Sequence, residues 1–238
     1  MKIAVLSDVH SNWHALEAVL ESAAKDADEY ICLGDVVGYG GDPIRCIEEV
    51  SGRGWPTLVG NHDRACTDRD ILTWFNDDAA TAIRWTVEQL TDAQLDWLRE
   101  RPENRETHGI LTVHASPRDP IYEYILDPGI ALPNLEMLGD RVCFHGHTHV
   151  PGYFYLEGGE VAHNYWLGAI SLQGPLLVNP GSVGQPRDGI RDASYGLWDP
   201  EAGSFEFRRV PYDRRGAQKA ILEAGLPERF ATRLDYGR

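Results

Sequence analysis

The sequence predicts an α/β protein in which two packed sheets are flanked by helices. Short apolar runs alternate with helical patterns over residues 3–60, and strands joined by helical crossovers indicate a parallel sheet. The last third of the chain instead consists of short apolar runs separated by Gly, Pro and Asp turns. Because no linker is long enough to divide the chain, we expect residues 1–238 to form a single domain.

The N-terminal part reads as three buried strands joined by two helices. Ser11 or Asn12 can cap the first helix, whose apolar positions from Leu16 to Ala23 recur at helical spacing. The second helix is expected over Ile44–Val50, with Pro43 near its first turn. The three predicted strands are Ile3–Leu6, Tyr30–Leu33 and Thr57–Val59.

The middle of the chain is predicted to be helical and the end to be strand-rich. A helical face runs from Ala79 to Leu90, and the capping box Thr91–Gln94 opens a further helix. A final helix is expected at Arg214–Glu223. The strands predicted after residue 100 are Ile110–Val113, Val142–His145, Tyr153–Leu156, Val161–Asn164, Leu176–Val178, Tyr195–Trp198 and Phe205–Val210.

Composition and charge exclude several classes of protein. With 42% apolar residues and seven Trp, the chain is not disordered, and it lacks the roughly 18 consecutive apolar residues of a membrane span. Its 22 basic and 37 acidic residues give a net charge of −15, which makes a nucleic-acid or membrane partner unfavourable. The four cysteines show no CxxC spacing, and no signal peptide is evident, so we expect a cytoplasmic location.

Polar side chains follow five of the predicted strands. Ligands of open α/β sheets bind at such strand ends, so we expect these side chains to converge at one edge. In Asp8-x-His10 and His147-x-His149, alternation along an extended backbone would turn both members to the same side. The converging residues are Asp8, His10, Asp35, Asn61, His114, His147 and His149.

This set of donors has the chemistry of a metal site. Imidazole, carboxylate and amide oxygen without thiolate suit Mn, Fe, Co, Ni or Zn rather than a structural zinc site. Seven ligands are too many for one tetrahedral ion, but they suit two ions that share a carboxylate. We therefore expect two divalent metal ions, with Mn the ion expected in vitro.

The motifs resemble the five-block signature of calcineurin-like metallophosphoesterases. The blocks are Asp8-x-His10, Gly34-Asp35, Gly60-Asn61-His62-Asp63, His114 and Gly146-His147-Thr148-His149, in the order of that family. Residues 34–42, 115–120 and 179–188 are similar to its small prokaryotic phosphodiesterase branch, whose members are often labelled relatives of diadenosine tetraphosphatases. Ser/Thr protein phosphatases instead carry Asp and Arg at Gly38 and Tyr39, which weakens that assignment.

The resemblance implies a four-layer α/β/β/α sandwich and a role for each motif residue. Asp35 would bridge the two metals, and a hydroxide between them would attack phosphorus. His62 would be catalytic, stabilising the transition state or protonating the leaving oxygen. Asp63 would orient a neighbour or cap the next turn. The remaining ligands would divide into Asp8, His10 and His149 on one metal and Asn61, His114 and His147 on the other.

Several polar residues near the motifs are candidates for substrate contacts. The resemblance brings residues 179–187 close to the metals, where the amide of Ser182 could bind an anion and Arg187 could grip a second phosphate. The further candidates are Asn12, Tyr39, Arg64 and Arg118.

The leading hypothesis is a metal-dependent hydrolase of small phosphodiesters, phosphomonoesters or nucleotides. One alternative is a dinucleoside polyphosphate hydrolase of the diadenosine tetraphosphate type, and a nuclease is disfavoured by the negative charge. An alternative of another class is a non-catalytic scaffold with the same fold. The sequence does not fix the oligomeric state, and a homo-oligomer is compatible with it.

Overall fold

The strands form two mixed sheets. A computed structural model describes residues 1–165 and 168–238, and within these ranges the first sheet has the order β2-β1-β10-β11-β8. Strands β1 and β2 pair in parallel, whereas β10 runs antiparallel to β1. The strands of this sheet are β1 (Ile3–Leu6), β2 (Glu29–Cys32), β8 (Ala169–Ser171), β10 (Ala193–Asp199) and β11 (Ser204–Val210).

The second sheet has the order β3-β4-β5-β9-β6-β7 among the described residues. Strands β4, β5 and β9 are parallel to one another, and β3, β6 and β7 pair antiparallel at the sides. Its strands are β3 (Asn104–Thr107), β4 (Ile110–Val113), β5 (Val142–Phe144), β6 (Gly152–Glu157), β7 (Glu160–Tyr165) and β9 (Leu176–Asn179).

Helices cover the outer faces of the two sheets, and the last two helices follow the final strand of the chain. No helix in the described part of the chain is both long and apolar enough to cross a membrane. The helices are α1 (Trp13–Ala23), α2 (Pro43–Gly52), α3 (Asn61–Thr67), α4 (Asp77–Gln89), α5 (Asp92–Arg99), α6 (Pro128–Leu138), α7 (Arg214–Glu223) and α8 (Glu228–Thr232), with 3₁₀ turns at Arg69–Trp74 and Arg233–Asp235.

The layers pack as the expected four-layer α/β/β/α sandwich. Val5 of the first sheet and Phe144 of the second belong to one buried core between the sheets, together with Trp198. On the outer face of the first sheet, Leu6 packs in a core with residues of α1 and α2. On the outer face of the second sheet, Cys143 packs with Leu135 of α6. Strands covered on both faces explain why the apolar runs are continuous instead of alternating.

Most predicted elements are present, but Thr57–Val59 is not a strand. Only Thr57 forms a bridge, to Cys32, and Val59 donates its N–H to the carbonyl of Pro102 instead of continuing the ladder. The segment therefore leaves the sheet after one pair. Helix α6 was not predicted, because Gly129 and Pro133 interrupt its pattern; the side chain of Asp127 caps its first turn.

The C-terminal helices support the loop that precedes α2. Ile221 of α7 and Phe230 of α8 form an apolar cluster with Tyr39. Gly41 lies so close to α7 that an added Cβ would be 2.5 Å from backbone atoms of Ala220. The end of the chain is therefore packed next to a motif loop that follows β2.

Candidate metal centre

All seven predicted metal ligands meet at one edge of the two sheets and are buried. Asp8 follows β1, Asp35 follows β2, His114 follows β4 and His147 follows β5, so strand ends supply most of the set. Asn61 is the first residue of α3. The rigid sheets thus bring together side chains that are far apart in the sequence.

The ligand loops are not extended, contrary to the alternation expected for the two pairs. Asp8, His10, His147 and His149 have φ values of 54°, 50°, 65° and 62°, in the left-handed region that is costly for residues other than glycine. Main-chain hydrogen bonds hold these turns: the N–H of Asp8 donates to Gly34 at 3.0 Å and that of His10 to Asp35 at 2.9 Å. Tertiary contacts therefore impose the turns and direct both side chains of each pair inward.

The first cluster consists of Asp8, His10 and His149. The Nε2 atoms of His10 and His149 lie 3.1 Å apart, and Oδ1 of Asp8 lies 3.3 Å from Nε2 of His149. Nδ1 of His10 lies 3.1 Å from the carbonyl of Val37, and Nδ1 of His149 lies 2.7 Å from that of Gln185. Since a carbonyl only accepts, we assign the ring protons to Nδ1, which leaves two Nε2 lone pairs facing each other.

The second cluster consists of Asp35, His114 and His147. Nε2 of His114 lies 3.2 Å from Nδ1 of His147 and 3.2 Å from Oδ1 of Asn61. The other ring nitrogens again meet main-chain carbonyls, that of His114 at Leu33 (3.0 Å) and that of His147 at Tyr122 (3.2 Å). Such carbonyl partners orient histidine ligands in metal sites.

Asp35 lies between the two clusters. Its Oδ2 atom is 3.5 Å from Nε2 of His10 and 3.5 Å from Nε2 of His114, while its Oδ1 accepts the N–H of His62 at 2.9 Å. One carboxylate oxygen therefore faces both donor sets, which is the position that a shared ligand occupies.

Burial shifts the pKa values of four of the predicted metal ligands. It lowers the pKa of His10, His147 and His149 well below the usual range, and it raises the pKa of Asp8 to about 6.

The pKa values of His114 and Asp35 are set by neighbouring charges as well as by burial. Burial opposes charge on His114, but the carboxylates of Asp35 and Asp8 raise its pKa to about 9. Burial alone would raise the pKa of Asp35, yet His114 and His62 hold it well below its ordinary value.

A divalent cation fits this donor set. Oδ1 of Asp8 is buried without a hydrogen-bond partner, and the Nε2 atoms of His10 and His149 lack a proton between them. Asp35 and Asp8 favour positive charge at His114, and a bound cation would supply that charge in place of a proton. Imidazole, carboxylate and amide donors suit the first-row metals expected from the sequence.

His62 lies beside the predicted ligands, as the second residue of α3. A ring nitrogen of His62 lies within 4.8 Å of donor atoms of His10 and Asp35, and its Nδ1 is buried without a partner. Gly38, at φ 100°, packs against this ring, and an added Cβ would lie 2.5 Å from Nδ1. The side chain that protein phosphatases carry at this position therefore does not fit here.

Asp63 connects the loop after β2 to the start of α3. Its carboxylate accepts the N–H groups of Val36 (3.3 Å), Val37 (3.1 Å) and Gly60 (3.1 Å). It therefore holds the backbone that carries Asp35 against the backbone that carries Asn61.

The six candidate substrate residues occupy different environments. The Asn12 side chain caps α1 and donates to the carbonyl of Gly184 at 2.8 Å. Ser182 Oγ donates to the carbonyl of Asp8 at 2.8 Å. Arg64 is paired with Glu103 at 2.8 Å and Arg118 with Glu123 at 3.0 Å. Tyr39 lies beside the predicted metal ligand His10, with ring centroids 4.7 Å apart, and 4.4 Å from the ring of His62. The Arg187 guanidinium is 5.9 Å from the Tyr39 ring.

A cleft of about 260 Å³ lies next to the predicted ligands, and aromatic side chains form part of its wall. Tyr124 stacks on His147 with ring centroids 3.7 Å apart, and Trp74 contacts Tyr122 edge-on at 5.4 Å. Trp74 is 71% exposed. None of these residues belongs to a predicted motif, although the two tyrosines soon after the 115–120 motif were a usable signal.

Comparison with known proteins agrees with this geometry. The calcineurin-like phosphoesterase superfamily domain matches residues 1–203. The chain belongs to the calcineurin-like phosphoesterase superfamily. Membership in it makes the protein a metal-dependent phosphoesterase, a hydrolase of phosphoric esters.

Two relatives of this phosphoesterase match over nearly their whole length. An uncharacterized protein of Methanocaldococcus jannaschii is 38% identical over 99% of this chain and 98% of its own. The crystal structure of a metallophosphoesterase from Sphaerobacter thermophilus is 40% identical, with a TM-score of 0.90 over 100% of this chain and 99% of its own.

A more distant structure has the same fold. A hypothetical protein of Pyrococcus horikoshii is 22% identical, with a TM-score of 0.81 over 100% of this chain and 98% of its own.

Proposed function

We propose that this phosphoesterase hydrolyses small phosphodiesters, phosphomonoesters or nucleotides with two divalent cations. Asp8, His10 and His149 would hold one cation, Asn61, His114 and His147 the other, and Asp35 both. When bound, two such ions activate water for attack on phosphorus and neutralise the charge of the phosphoryl oxygens. We take residues 1–238 as one domain, because the C-terminal helices pack against the Tyr39 loop.

The observation that carries the proposal is the pair of imidazoles of His10 and His149. Two unprotonated nitrogens at 3.1 Å repel each other, and this arrangement becomes favourable when a cation lies beside both. The buried, unpartnered oxygen of Asp8 faces the same point. A purely structural cluster would have paired these atoms with hydrogen-bond donors.

His62 is proposed as the proton donor to the leaving oxygen. It lines the cleft with Tyr39 and Asn61. In a helix, consecutive side chains point about 100° apart, so Asn61 can face the cations while His62 faces the bound ester. Burial lowers the pKa of His62 to about 4 although Asp35 opposes this shift, so the negative charge of a bound phosphate would be needed to favour the protonated form that donates to the leaving oxygen.

Tyr39 and Arg187 are proposed as contacts of the phosphoryl group. Nε of Arg187 is buried without a partner, although Nη2 donates to Gln185 at 3.1 Å, so the guanidinium keeps a free donor beside the site. A guanidinium binds phosphate oxygens through paired hydrogen bonds. Asn12 and Ser182 would support the ligand loops through the hydrogen bonds that they already make.

A panel of phosphoesters assayed after metal removal tests the proposal. The stripped protein should be inactive on p-nitrophenyl phosphate and bis-p-nitrophenyl phosphate, and reloading with Mn, Fe, Zn, Co or Ni should restore hydrolysis of at least one of them. If no reloaded sample hydrolyses either ester at any pH, the non-catalytic scaffold becomes the better account. Product analysis with diadenosine tetraphosphate examines the dinucleoside polyphosphate alternative.

A further inference from the structure

Aromatic side chains form much of the wall of the cleft beside the predicted metal ligands. The ligands Asn61 and His147 line the same space, so a group bound in the cleft would lie next to the cations. The volume of about 260 Å³ is below the roughly 300–1,000 Å³ of pockets for drug-sized molecules, and it suits a single ring system. The aromatic residues that line the cleft are Tyr39, Trp74, Phe75, Tyr122 and Tyr124.

Tyr124 contacts a predicted metal ligand with one face of its ring. The ring stacks on that of His147, with centroids 3.7 Å apart and an interplanar angle of 28°. Tyr124 is nevertheless 41% exposed, because stacking on His147 covers only one of its two faces. The other face is therefore open to a second ring at a position next to the predicted metal centre.

Among the described residues, Trp74 is the most exposed large hydrophobic side chain, at 71%. It ends the 3₁₀ turn Arg69–Trp74, and the next residue, Phe75, lies edge-on to the His62 ring with centroids 5.1 Å apart. Phe75 thus attaches this segment to the site, while the indole of Trp74 lines the cleft and meets Tyr122 edge-on. The indole is held at the cleft with most of its surface in water.

A single exposed indole is common on protein surfaces, but Trp74 and Tyr124 line one cleft together. Such surfaces are stabilised when another ring stacks on them and displaces water. We propose that Trp74 and Tyr124 bind a planar aromatic group of the substrate, so that the preferred phosphoesters carry an aryl group or a nucleobase. This inference rests on the proposed function and adds the substrate class.

A small ester fits this cleft better than a macromolecule. A second copy of the chain seated on Trp74 would cover Asn61 and His147 and so block access to the predicted cations. The net charge of −15 disfavours a nucleic-acid strand. The aromatic contacts would take no part in bond formation or cleavage, but they would decrease KM for esters that possess a ring.

Calorimetric titration of the Mn-loaded protein with phosphonates tests the aromatic site without turnover. Phenylphosphonate carries a planar ring, cyclohexylphosphonate a ring of similar size that is not planar, and methylphosphonate no ring. Phenylphosphonate should bind the wild type most tightly of the three. Trp74→Ala should raise its Kd about tenfold, the loss of one stacking contact, and leave the Kd of methylphosphonate within about twofold.

Further variants separate stacking from other effects. Trp74→Phe should recover part of the loss, and Tyr124→Phe should match the wild type because the ring remains. Tyr124→Leu should weaken phenylphosphonate more than methylphosphonate, whereas metal loss through His147 would weaken both equally and would remove Tyr124 from the proposal. Tyr236→Ala is the matched control, since this aromatic residue is 66% exposed but lines a different cavity.

KM values distinguish the two sources of the aromatic group. If a nucleobase occupies the cleft, Trp74→Ala should raise the KM of adenosine 5′-monophosphate and leave that of ribose 5-phosphate unchanged. If an aryl group occupies it, the KM of phenyl phosphate should rise and that of adenosine 5′-monophosphate should not. Unchanged KM values for both ring-bearing esters would contradict the proposal.

Several other results would overturn the aromatic site. Equal weakening of all three phosphonates in Trp74→Ala would show a general effect on the fold, and equal weakening of the phenyl and cyclohexyl compounds would show apolar contact without stacking. If Trp74→Ala instead dissociates an oligomer at unchanged Kd values, Trp74 covers a second copy. A wild type that prefers phenylphosphonate but hydrolyses no ester refutes the proposed function and the claim about substrates. A wild type that hydrolyses esters but binds phenylphosphonate and methylphosphonate equally refutes the aromatic site alone.

Discussion

Nε2 of His10 and Nε2 of His149 lie 3.1 Å apart, and the assignment of the ring protons to Nδ1 leaves no hydrogen between them. Each ring is fixed by its other nitrogen, which donates to the carbonyl of Val37 or of Gln185. These carbonyls belong to loops that follow different strands, so the sheet framework sets the distance between the rings. These main-chain partners therefore orient both rings toward a common point, which reduces the cost of ordering them when a cation binds.

Replacing the shared carboxylate should remove more metal than replacing any ligand of one ion. Oδ2 of Asp35 is equidistant from His10 and His114, so Asp35→Ala removes a donor from both sites and leaves two cations without an anion between them. Metal analysis should show well under one ion per chain in Asp35→Ala, whereas His10→Ala should keep about one. Equal losses in the two variants would contradict a shared ligand.

His62→Asn should retain both metals and lose turnover. Removal of a positioned acid slows catalysis by roughly 10²–10⁴-fold. The defect should be small for nitrophenyl esters, whose leaving groups need little protonation, and large for alkyl esters and nucleotides. Rates across leaving groups, measured together with metal content, test this prediction. Metal loss in proportion to activity would instead make His62 a ligand, which its distance from His10 and Asp35 allows.

Asp63→Ala should destabilise the protein because three main-chain N–H groups would lose their acceptor. Each buried unsatisfied donor costs about 1–3 kcal/mol, so we expect the free energy of unfolding to fall by roughly 2–4 kcal/mol after partial relaxation. Asp63→Asn keeps one acceptor oxygen and should cost less. Denaturant unfolding of both variants measures this difference, and a wild-type stability in Asp63→Ala would show that the three contacts are dispensable.

Phe144→Ala should weaken the packing between the sheets. Phe144 is fully buried and lies edge-on to Trp198 at 5.2 Å and near Phe205 at 5.0 Å. Loss of a buried phenyl ring costs about 3–5 kcal/mol. Leu222→Ala, at a half-exposed position on α7, is the matched control and should change stability by less than about 0.5 kcal/mol. Similar melting temperatures for the two variants would contradict the sandwich.

The sequence predicted that these side chains converge because most of them follow a strand or open a helix, and strand ends can be recognised from local patterns. Asp8, Asp35 and His114 are of this kind. The left-handed turns at His10 and His149 could not be predicted, since contacts to distant loops stabilise a backbone that these residues otherwise avoid. The assumption of an extended Asp-x-His segment was wrong although both side chains do converge.

Other features depend on tertiary structure alone. The N–H of Val59 bonds to Pro102, so the apolar run at Thr57–Val59 does not become a strand. Ile221 of α7 and Phe230 of α8 pack against Tyr39, and nothing near them in the sequence indicates this contact. Local periodicity encodes strands and helices, but it does not encode which distant segment packs against a motif.

Metal stoichiometry measured on an active sample tests the dinuclear site most directly. The protein is stripped with a chelator, reloaded with Mn, freed of unbound ions and divided between metal analysis and a p-nitrophenyl phosphate assay. Two ions per chain are expected, with activity lost on stripping and recovered on loading, because Asp35 lies between two donor clusters. A fully active sample that holds no more than one ion per chain after saturation would contradict the account.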